Sequence, residues 1–426
     1  MNQVFKIGAL LILSGCMTFS KDKESDSQTV HRVMVIDSDF DESLSIFQGK
    51  IAGTYTLYCA ENESQPCILK EGLEYKPQQN PRVLALREKW NHAVKMRDFA
   101  SLSVEEVKYM NENMNLSHGT ATAAVIAYKN PKVQLYLVQR EPHKEEKGDI
   151  TSVIKSICAS PDQMNSINQA FTLRQTMWET LVKETNQREL AIHNFAVKHK
   201  IDLINKSYGS IGPDEYMRKI FKEMFDCPVL GEFLIQDTRL EHARIKEMRL
   251  YAKSVPYLIL QSAGNENSRI DSEKDTGECM IRNGNHLLVG SFNAYDQVSP
   301  FSNYGNCVDF YTLGSQVISA TIGDVLIPVD GTSFSSPLAV RSLTGLSIKN
   351  PVERKAAIAS MLDERRFLKA DKTHMNNIAF QVGAGKGLSL AGKSNHGPYE
   401  DFFSRTSSKD ELLREAVRSV QGFIRQ

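Results

Sequence analysis

Short apolar runs rich in β-branched residues recur along the chain, separated by longer stretches whose apolar positions repeat at helical spacing. Arg32 to Ile36, Val133 to Val138, Ile201 to Asn205, Pro256 to Gln261 and His286 to Val289 read as strands. Strands alternating with helices in this way predict an α/β fold with a mainly parallel central sheet. A long segment between the first two strands holds a polar turn flanked by Cys59 and Cys67 and a charged helical stretch around Val83 to Tyr109. Residues 151–200 and 214–254 are also rich in helix formers with periodic apolar positions. Segments near 45–112, 151–200 and 214–254 are therefore expected to be insertions on, or extra layers of, one domain running from 32 to 395. At the end of the chain, Ser408 and Glu411 form a capping-box pattern, and Leu413, Val417, Val420 and Ile424 share a helical face. The extension 396–426 should thus hold an amphipathic helix packed on the domain, its mixed charges arguing against a membrane surface.

The amino-terminal pattern has a different meaning. Lys6 precedes the short apolar run Ile7 to Leu13, which small residues follow as far as Cys16. That is the layout of a signal peptide over 1–15, too short to span a bilayer. Leu13-Ser14-Gly15-Cys16 is similar to the lipobox of bacterial lipoproteins. Cys16 would then carry lipid, with 16–31 as a polar tether. The expectation is an exported bacterial lipoprotein anchored in the cell membrane or outer membrane, facing the periplasm or the exterior.

Composition narrows the function classes. Of 426 residues, 41% are hydrophobic and 24% charged, with formal net charge zero. This is neither the signature of disorder nor a basic field for nucleic acid. Setting Cys16 aside leaves six of the seven cysteines, an even number for an oxidising compartment. Cys59 with Cys67 is the first pair expected; Cys279 with Cys307 and Cys158 with Cys227 follow by locality and elimination, although six cysteines leave many connectivities open. The absence of CxxC and HExxH motifs weakens a zinc or thioredoxin-like reading, and no metal ligands are assigned.

Four short motifs carry candidate chemistry. The first strand runs into Asp37-Ser38-Asp39, which puts an acid at a strand's carboxyl end, the edge where open parallel sheets build sites. Ser117-His118-Gly119-Thr120 opens a run of small residues, which reads as a closely packed helix with His118 in its first turn. Ser262-Ala263-Gly264-Asn265 follows another strand end, where an amide side chain can donate to a developing oxyanion. Gly331-Thr332-Ser333 with Pro337 reads as a glycine turn into a helix, with the proline expected in the amide-poor first turn. Each motif alone is ordinary, since an acid in a turn, a histidine near a helix start and a serine at an N-cap are all common structural features.

Together, in the order Asp, His, Ser, the motifs resemble the subtilisin-like serine proteases. Weaker echoes fill the spaces: Leu203 to Gly209, Val289-Gly290-Ser291, Phe301 to Gly305, and Gly383 to Gly387, so that the likeness spans about 32 to 392. The resemblance implies a three-layer fold and a serine endopeptidase in which Ser333 attacks, His118 takes and returns the proton, Asp37 orients His118, and Asn265 binds the oxyanion. It also implies that a polypeptide substrate adds as a strand along Ser207-Tyr208-Gly209 and Ser262-Ala263-Gly264, with Tyr208 shaping the primary pocket. No cofactor is required; calcium is common in the family, but no residues here are assigned to it.

Three departures stand out. Asp39 occupies the place where the family has glycine, and an added carboxylate there could raise one acid's pKa or bind a cation. The stretch from Cys16 to Asp37 is too short for an inhibitory prodomain. The wide spacing from Asp37 to His118 implies a bulky insertion near the cleft. Two competing readings remain. Gly387 to Ser394 fits the phosphate-loop pattern GxxxxGK[ST], but Asn395-His396-Gly397-Pro398 would stop the helix that such a loop opens, so no nucleotide is expected. The other is an inactive surface lipoprotein of the same fold that binds peptide or a protein partner.

Overall fold

The computed structural model describes residues 30–59, 66–140, 150–171, 174–208, 214–223, 225–248, 255–271, 279, 284–295, 297–346 and 350–363. Its centre is an eight-stranded sheet, ordered β3-β2-β4-β1-β5-β6-β7-β8. The strands are β1 (His31–Asp37), β2 (Ile51–Tyr58), β3 (Ile68–Glu71), β4 (Val133–Arg140), β5 (Leu203–Lys206), β6 (Leu258–Ser262), β7 (His286–Phe292) and β8 (Phe310–Leu313). All neighbours pair parallel except β2 and β3, which form an antiparallel hairpin at one edge. β1 lies between β4 and β5 and is covered on both faces, which is why Val33-Met34-Val35-Ile36 is a continuous apolar run rather than an alternating one.

Two helical layers complete the fold. On one face, α3 (His118–Ala127) and α9 (Thr332–Thr344) pack on Val33, Val35, Leu135, Leu137, Leu203 and Leu260. Every residue of α3 from Gly119 to Ala127 is buried. Its alanines and threonines let the helix axis approach the sheet closely, which larger side chains would prevent. On the other face, Met34, Ile36, Tyr136 and Ile204 meet Ile192, Phe195 and Ala196 of α6 (Arg174–Lys198).

The remaining helices elaborate these layers. Within 45–112, β2 is hydrogen-bonded into the central sheet, while α1 (Pro81–Met96) and α2 (Val104–Asn113) pack Val83, Trp90 and Met110 against Val325 of a hairpin formed by β9 (Val317–Thr321) and β10 (Val325–Val329). α1 begins at an Asn80 cap with Pro81 behind it, and α2 at a Ser103/Glu106 capping box; such a cap contributes about 1 kcal/mol. The helices α4 (Ile150–Ala159), α5 (Gln163–Phe171), α7 (Asp214–Glu223) and α8 (Pro228–Met248) share a core of their own around Ile154, Ile167, Phe221 and Leu234. The Cys158–Cys227 disulfide lies in that core, while Cys59–Cys67 closes the β2–β3 hairpin and Cys279–Cys307 staples the loops around β7 and β8, the three pairs expected from locality.

At the amino edge of the sheet, α10 (Pro351–Asp363) inserts the fully buried Arg354. Its guanidinium donates to the Asp202 carbonyl at 2.7 Å, pairs with the Asp202 carboxylate at 3.1 Å and reaches His31 Nδ1 at 3.4 Å. His31 Nε2 lies 2.7 Å from the Leu346 carbonyl, so this nitrogen carries the proton and Nδ1 accepts. Burial is the main force pushing the His31 pKa below the ordinary histidine value. The predicted helix over 408–424, the segment 1–29 with Cys16, and Gly387 to Ser394 lie outside the described residues.

Candidate active site

Asp37 is the last residue of β1, and its side chain is only 4% exposed at the carboxyl edge of the sheet. Its Oδ1 accepts from the Ser38 amide at 2.8 Å, and its Oδ2 from the Thr122 hydroxyl at 3.3 Å. His118 begins α3 and turns Nδ1 onto both carboxylate oxygens, at 2.8 and 3.0 Å. A carboxylate only accepts, so the proton sits on Nδ1 and Nε2 is left as the basic nitrogen. The imidazole is 40% exposed, open to the cleft. Burial works against its charged form, but the charge and hydrogen bond of Asp37 outweigh it. Asp39 adds to them, and the pKa is held above the ordinary histidine value.

The start of α3 is fixed by several contacts. Ser117 caps it, accepting from the Thr120 amide and donating to the Asp39 carbonyl at 3.2 Å. The Ser117 amide donates to Thr321 Oγ1 at 2.9 Å, and the Asp41 amide to Thr120 Oγ1 at 2.7 Å. Gly119 has no room for a side chain: a Cβ there would overlap the Asp39 carbonyl oxygen and come within 2.9 Å of Asp37 Cβ. The small residue after His118 is thus what lets the helix seat against the end of β1.

Ser333 occupies the second position of α9, behind Gly331, whose φ of 143° suits glycine. Its amide is a first-turn donor without an intrahelical acceptor. The neighbouring Phe334 ring lies 5.9 Å from the His118 ring. Pro337 falls inside the helix, one turn beyond the position read from sequence. Its missing N–H leaves the Ser333 carbonyl without its usual partner four residues on, and the Ser207 hydroxyl donates to that carbonyl at 2.7 Å. In return, Ser333 Oγ donates to the Ser207 carbonyl at 3.0 Å. The resting hydroxyl therefore points at β5's continuation. Asn205 and Ser336 brace this junction through a 2.8 Å bond from the Ser336 hydroxyl, and Asn205 Nδ2 donates to Ser207 Oγ at 2.9 Å.

Asn265 is held by its oxygen. Its Oδ1 accepts from the Thr332 amide at 2.8 Å and the Thr332 hydroxyl at 2.9 Å, which turns the NH2 toward the Gly331 side of the cleft. The preceding turn is built by Gly264, at φ 100°, and by Asn303, whose Nδ2 donates to the Ala263 carbonyl at 2.9 Å while its Oδ1 receives the Glu266 and Ser268 amides. Ser262 and Ala263 are buried at the end of β6. Tyr208 is half-buried on the α6 side, with the Arg140 guanidinium 4.2 Å from its ring centre. Gly209 lies outside the described residues.

The structure therefore brings Asp37, His118, Ser333, Asn265, Ser207, Tyr208, Ser262, Ala263 and Gly264 to one edge of the sheet. Sequence reasoning missed Thr122, Thr332, Asn303 and Phe334. Thr122 carries a readable signal, four residues after His118 on the same helical face; Thr332 and Asn303 lie inside the motifs Gly331-Thr332-Ser333 and Phe301 to Gly305, but their partners are 67 and 40 residues away, which hides the role of each. A carboxylate-oriented imidazole, a serine at a helix start and an outward-facing amide form a set able to activate a hydroxyl and stabilise an oxyanion. Among the described residues, no group of three or more His, Cys, Asp or Glu could hold a metal ion.

Comparison with known proteins bears on the family and not on the individual site residues. A segment of 116 residues is 29% identical to a thermophilic serine proteinase of Bacillus sp. (strain AK1), covering 27% of each chain. A segment of 78 residues is 37% identical to the subtilase-type proteinase psp3 of Schizosaccharomyces pombe (strain 972 / ATCC 24843), covering 18% of this chain and 16% of that one. The chain thus matches about a quarter or less of these relatives' length. Among solved structures, the nisin leader peptidase NisP from Lactococcus lactis is similar over 78% of this chain and 82% of its own, at 14% identity and a TM-score of 0.40. The profile of the subtilase family matches residues 31–385, most of the chain, and the protein belongs to that family.

Proposed function

We propose that this protein is an exported, lipid-anchored serine endopeptidase that hydrolyses polypeptides with Asp37, His118 and Ser333. The observation that carries this reading is the grip of His118 Nδ1 on both oxygens of Asp37, with Ser333 at the start of the facing helix. In the reaction, Ser333 Oγ leaves the Ser207 carbonyl, gives its proton to His118 Nε2 and attacks the scissile carbonyl. Asp37 holds the imidazolium that results. The negative oxygen of the tetrahedral intermediate takes hydrogen bonds from Asn265 Nδ2 and the Ser333 amide. His118 then protonates the leaving amine, and a water molecule repeats the sequence to free the acyl group. Substrate lies as a strand along Ser207, Tyr208 and Gly209 and against Ser262, Ala263 and Gly264, its backbone N–H competing for the carbonyl that holds Ser333 at rest.

Export and anchoring rest on the apolar run Ile7 to Leu13 and on Cys16. The decisive experiment is labelling with a fluorophosphonate probe, expected for the parent protein and lost in Ser333→Ala. A folded parent protein that takes no label would sink the enzymatic reading and favour a peptide-binding role. Incorporation of labelled palmitate, lost in Cys16→Ser, tests the anchor.

A further inference from the structure

The least accounted-for charge at the site is Asp39. Its main-chain carbonyl receives the Ser117 hydroxyl, so it is tied to the cap of the helix that His118 begins. Its Oδ1 receives the Ser38 hydroxyl at 2.7 Å, and the same hydroxyl lies 3.4 Å from Asp37 Oδ1. One hydroxyl proton thus stands between two carboxylates, nearer to Asp39. Gly119 leaves no slack in this arrangement, because a Cβ added there would overlap the Asp39 carbonyl oxygen. Asp39 is half-exposed, and its carboxylate is linked to the imidazole through Ser38 Oγ and Asp37 Oδ1, close enough for its charge to favour the His118 imidazolium.

We infer that Asp39 is a positioning residue, a second carboxylate held beside the triad to stabilise the His118 imidazolium from the open side of the cleft. This rests on His118 being the general base. The charged groups facing His118 are few. The end of β1 and the loop after it supply Asp37 and Asp39. Asp41, further along that loop, spends its carboxylate on Ser43 and the Gly323 amide. α9 presents Ser333 and the Phe334 ring, β9 meets Ser117 and α3 with the uncharged hydroxyls of Thr321 and Ser319, and β4 and the turn at 45–47 meet α3 with apolar side chains. Asp37 is buried and hydrogen-bonded, so its field is little affected by salt; Asp39 borders solvent, and its field is screened. The imidazolium therefore has one constant partner and one that depends on ionic strength.

The sign follows from linkage. A carboxylate favours the charged imidazole, so removing Asp39 lowers the His118 pKa and keeps the base free to lower pH. The experiment has two arms. In Ser333→Ala protein, the His118 imidazole is followed by NMR against pH, its signal assigned by its loss in His118→Gln, with and without Asp39→Asn. In the active protein, the acid limb of kcat/KM on an uncharged peptide is located relative to each variant's own plateau. Asp39→Asn retains an oxygen for the Ser38 hydroxyl, so the perturbation is mainly of charge. The expected result is a downward displacement of both the His118 titration and the acid limb in low salt, and 1 M salt should move the parent protein's titration the same way and the variant's less. Coincident titrations in low salt would overturn the inference, as would a variant that loses rate with its acid limb unmoved. An inactive parent protein whose His118 titration still falls with Asp39→Asn would leave Asp39's role standing and remove the endopeptidase reading instead.

Discussion

Gly119→Ala replaces a hydrogen by a methyl group at a place with no room to spare. The new methyl would overlap the Asp39 carbonyl oxygen and meet Asp37 Cβ at 2.9 Å and the Phe40 ring at 3.0 Å. None of these can yield cheaply: one is backbone, one sits on a central strand, and Phe40 is fully buried. The relief open to the structure is for α3 to back away from β1, and α3 is itself packed on every side from Gly119 to Ala127. Overpacking of this kind costs about 1–3 kcal/mol. A retreat on the order of 1 Å would lengthen the 2.8 Å bond between His118 and Asp37, and misplacement of that size costs roughly a hundredfold in rate. Urea unfolding should therefore show the stability loss, and steady-state kinetics on a fluorogenic peptide should show the rate loss mainly in kcat. A variant within threefold of the parent protein in kcat would refute the reasoning, because the close seat of the helix would then not be what places His118.

Asn265→Leu removes the outward amide, together with the oxygen that accepts from the Thr332 amide and hydroxyl, and should cut kcat by at least about a hundred- to a thousandfold, as read by steady-state kinetics. Acidification should weaken the fold through His31. Its folded pKa lies below the unfolded value near 6.5, so its contribution is present above that pH and is lost as pH falls through the depressed folded value. Urea midpoints at pH 7.5 and 5.5 should differ less in His31→Gln than in the parent protein. Replacing both Cys158 and Cys227 by alanine frees a loop of 69 residues and should cost about 4 kcal/mol in chain entropy, measured by urea unfolding under oxidising conditions.

The parts legible in sequence are those whose environment is uniform. β1 reads as a strand because both its faces are covered, and α3 and α9 read as helices because runs of small residues follow a capping serine in one and a glycine turn in the other. The three disulfides were reachable because each joins cysteines that are near neighbours among the six. β2 is harder to read: its residues 51–55 are exposed or half-buried, so the alternation of a one-sided strand is blurred, and its place beside β4 is decided by pairing over a long separation. The β9–β10 hairpin carries Pro328, which argues against a central strand and is tolerated because this is a separate two-stranded sheet. At the site, the motifs mark Asp37, His118, Asn265 and Ser333, but not the orientation of the serine hydroxyl. That depends on Pro337 freeing a carbonyl for Ser207, a relation between residues 126 apart.

The position of β1 also bears on how the molecule comes into being. β1 pairs with β4, which begins at Val133, and with β5, which begins at Leu203, and the helix bearing Ser333 docks only near the end of the described chain. Such non-local parallel pairing is slow, since loop closure must be endured before contacts reward it. During synthesis the first strand therefore waits, its two apolar faces unpartnered, while well over a hundred further residues emerge. On the mechanism proposed above, the chain would hold an acid and an imidazole but no serine hydroxyl until α9 arrives. A ribosome-bound intermediate would then be inert as a peptidase, yet prone to sticking to its neighbours through the open faces of β1.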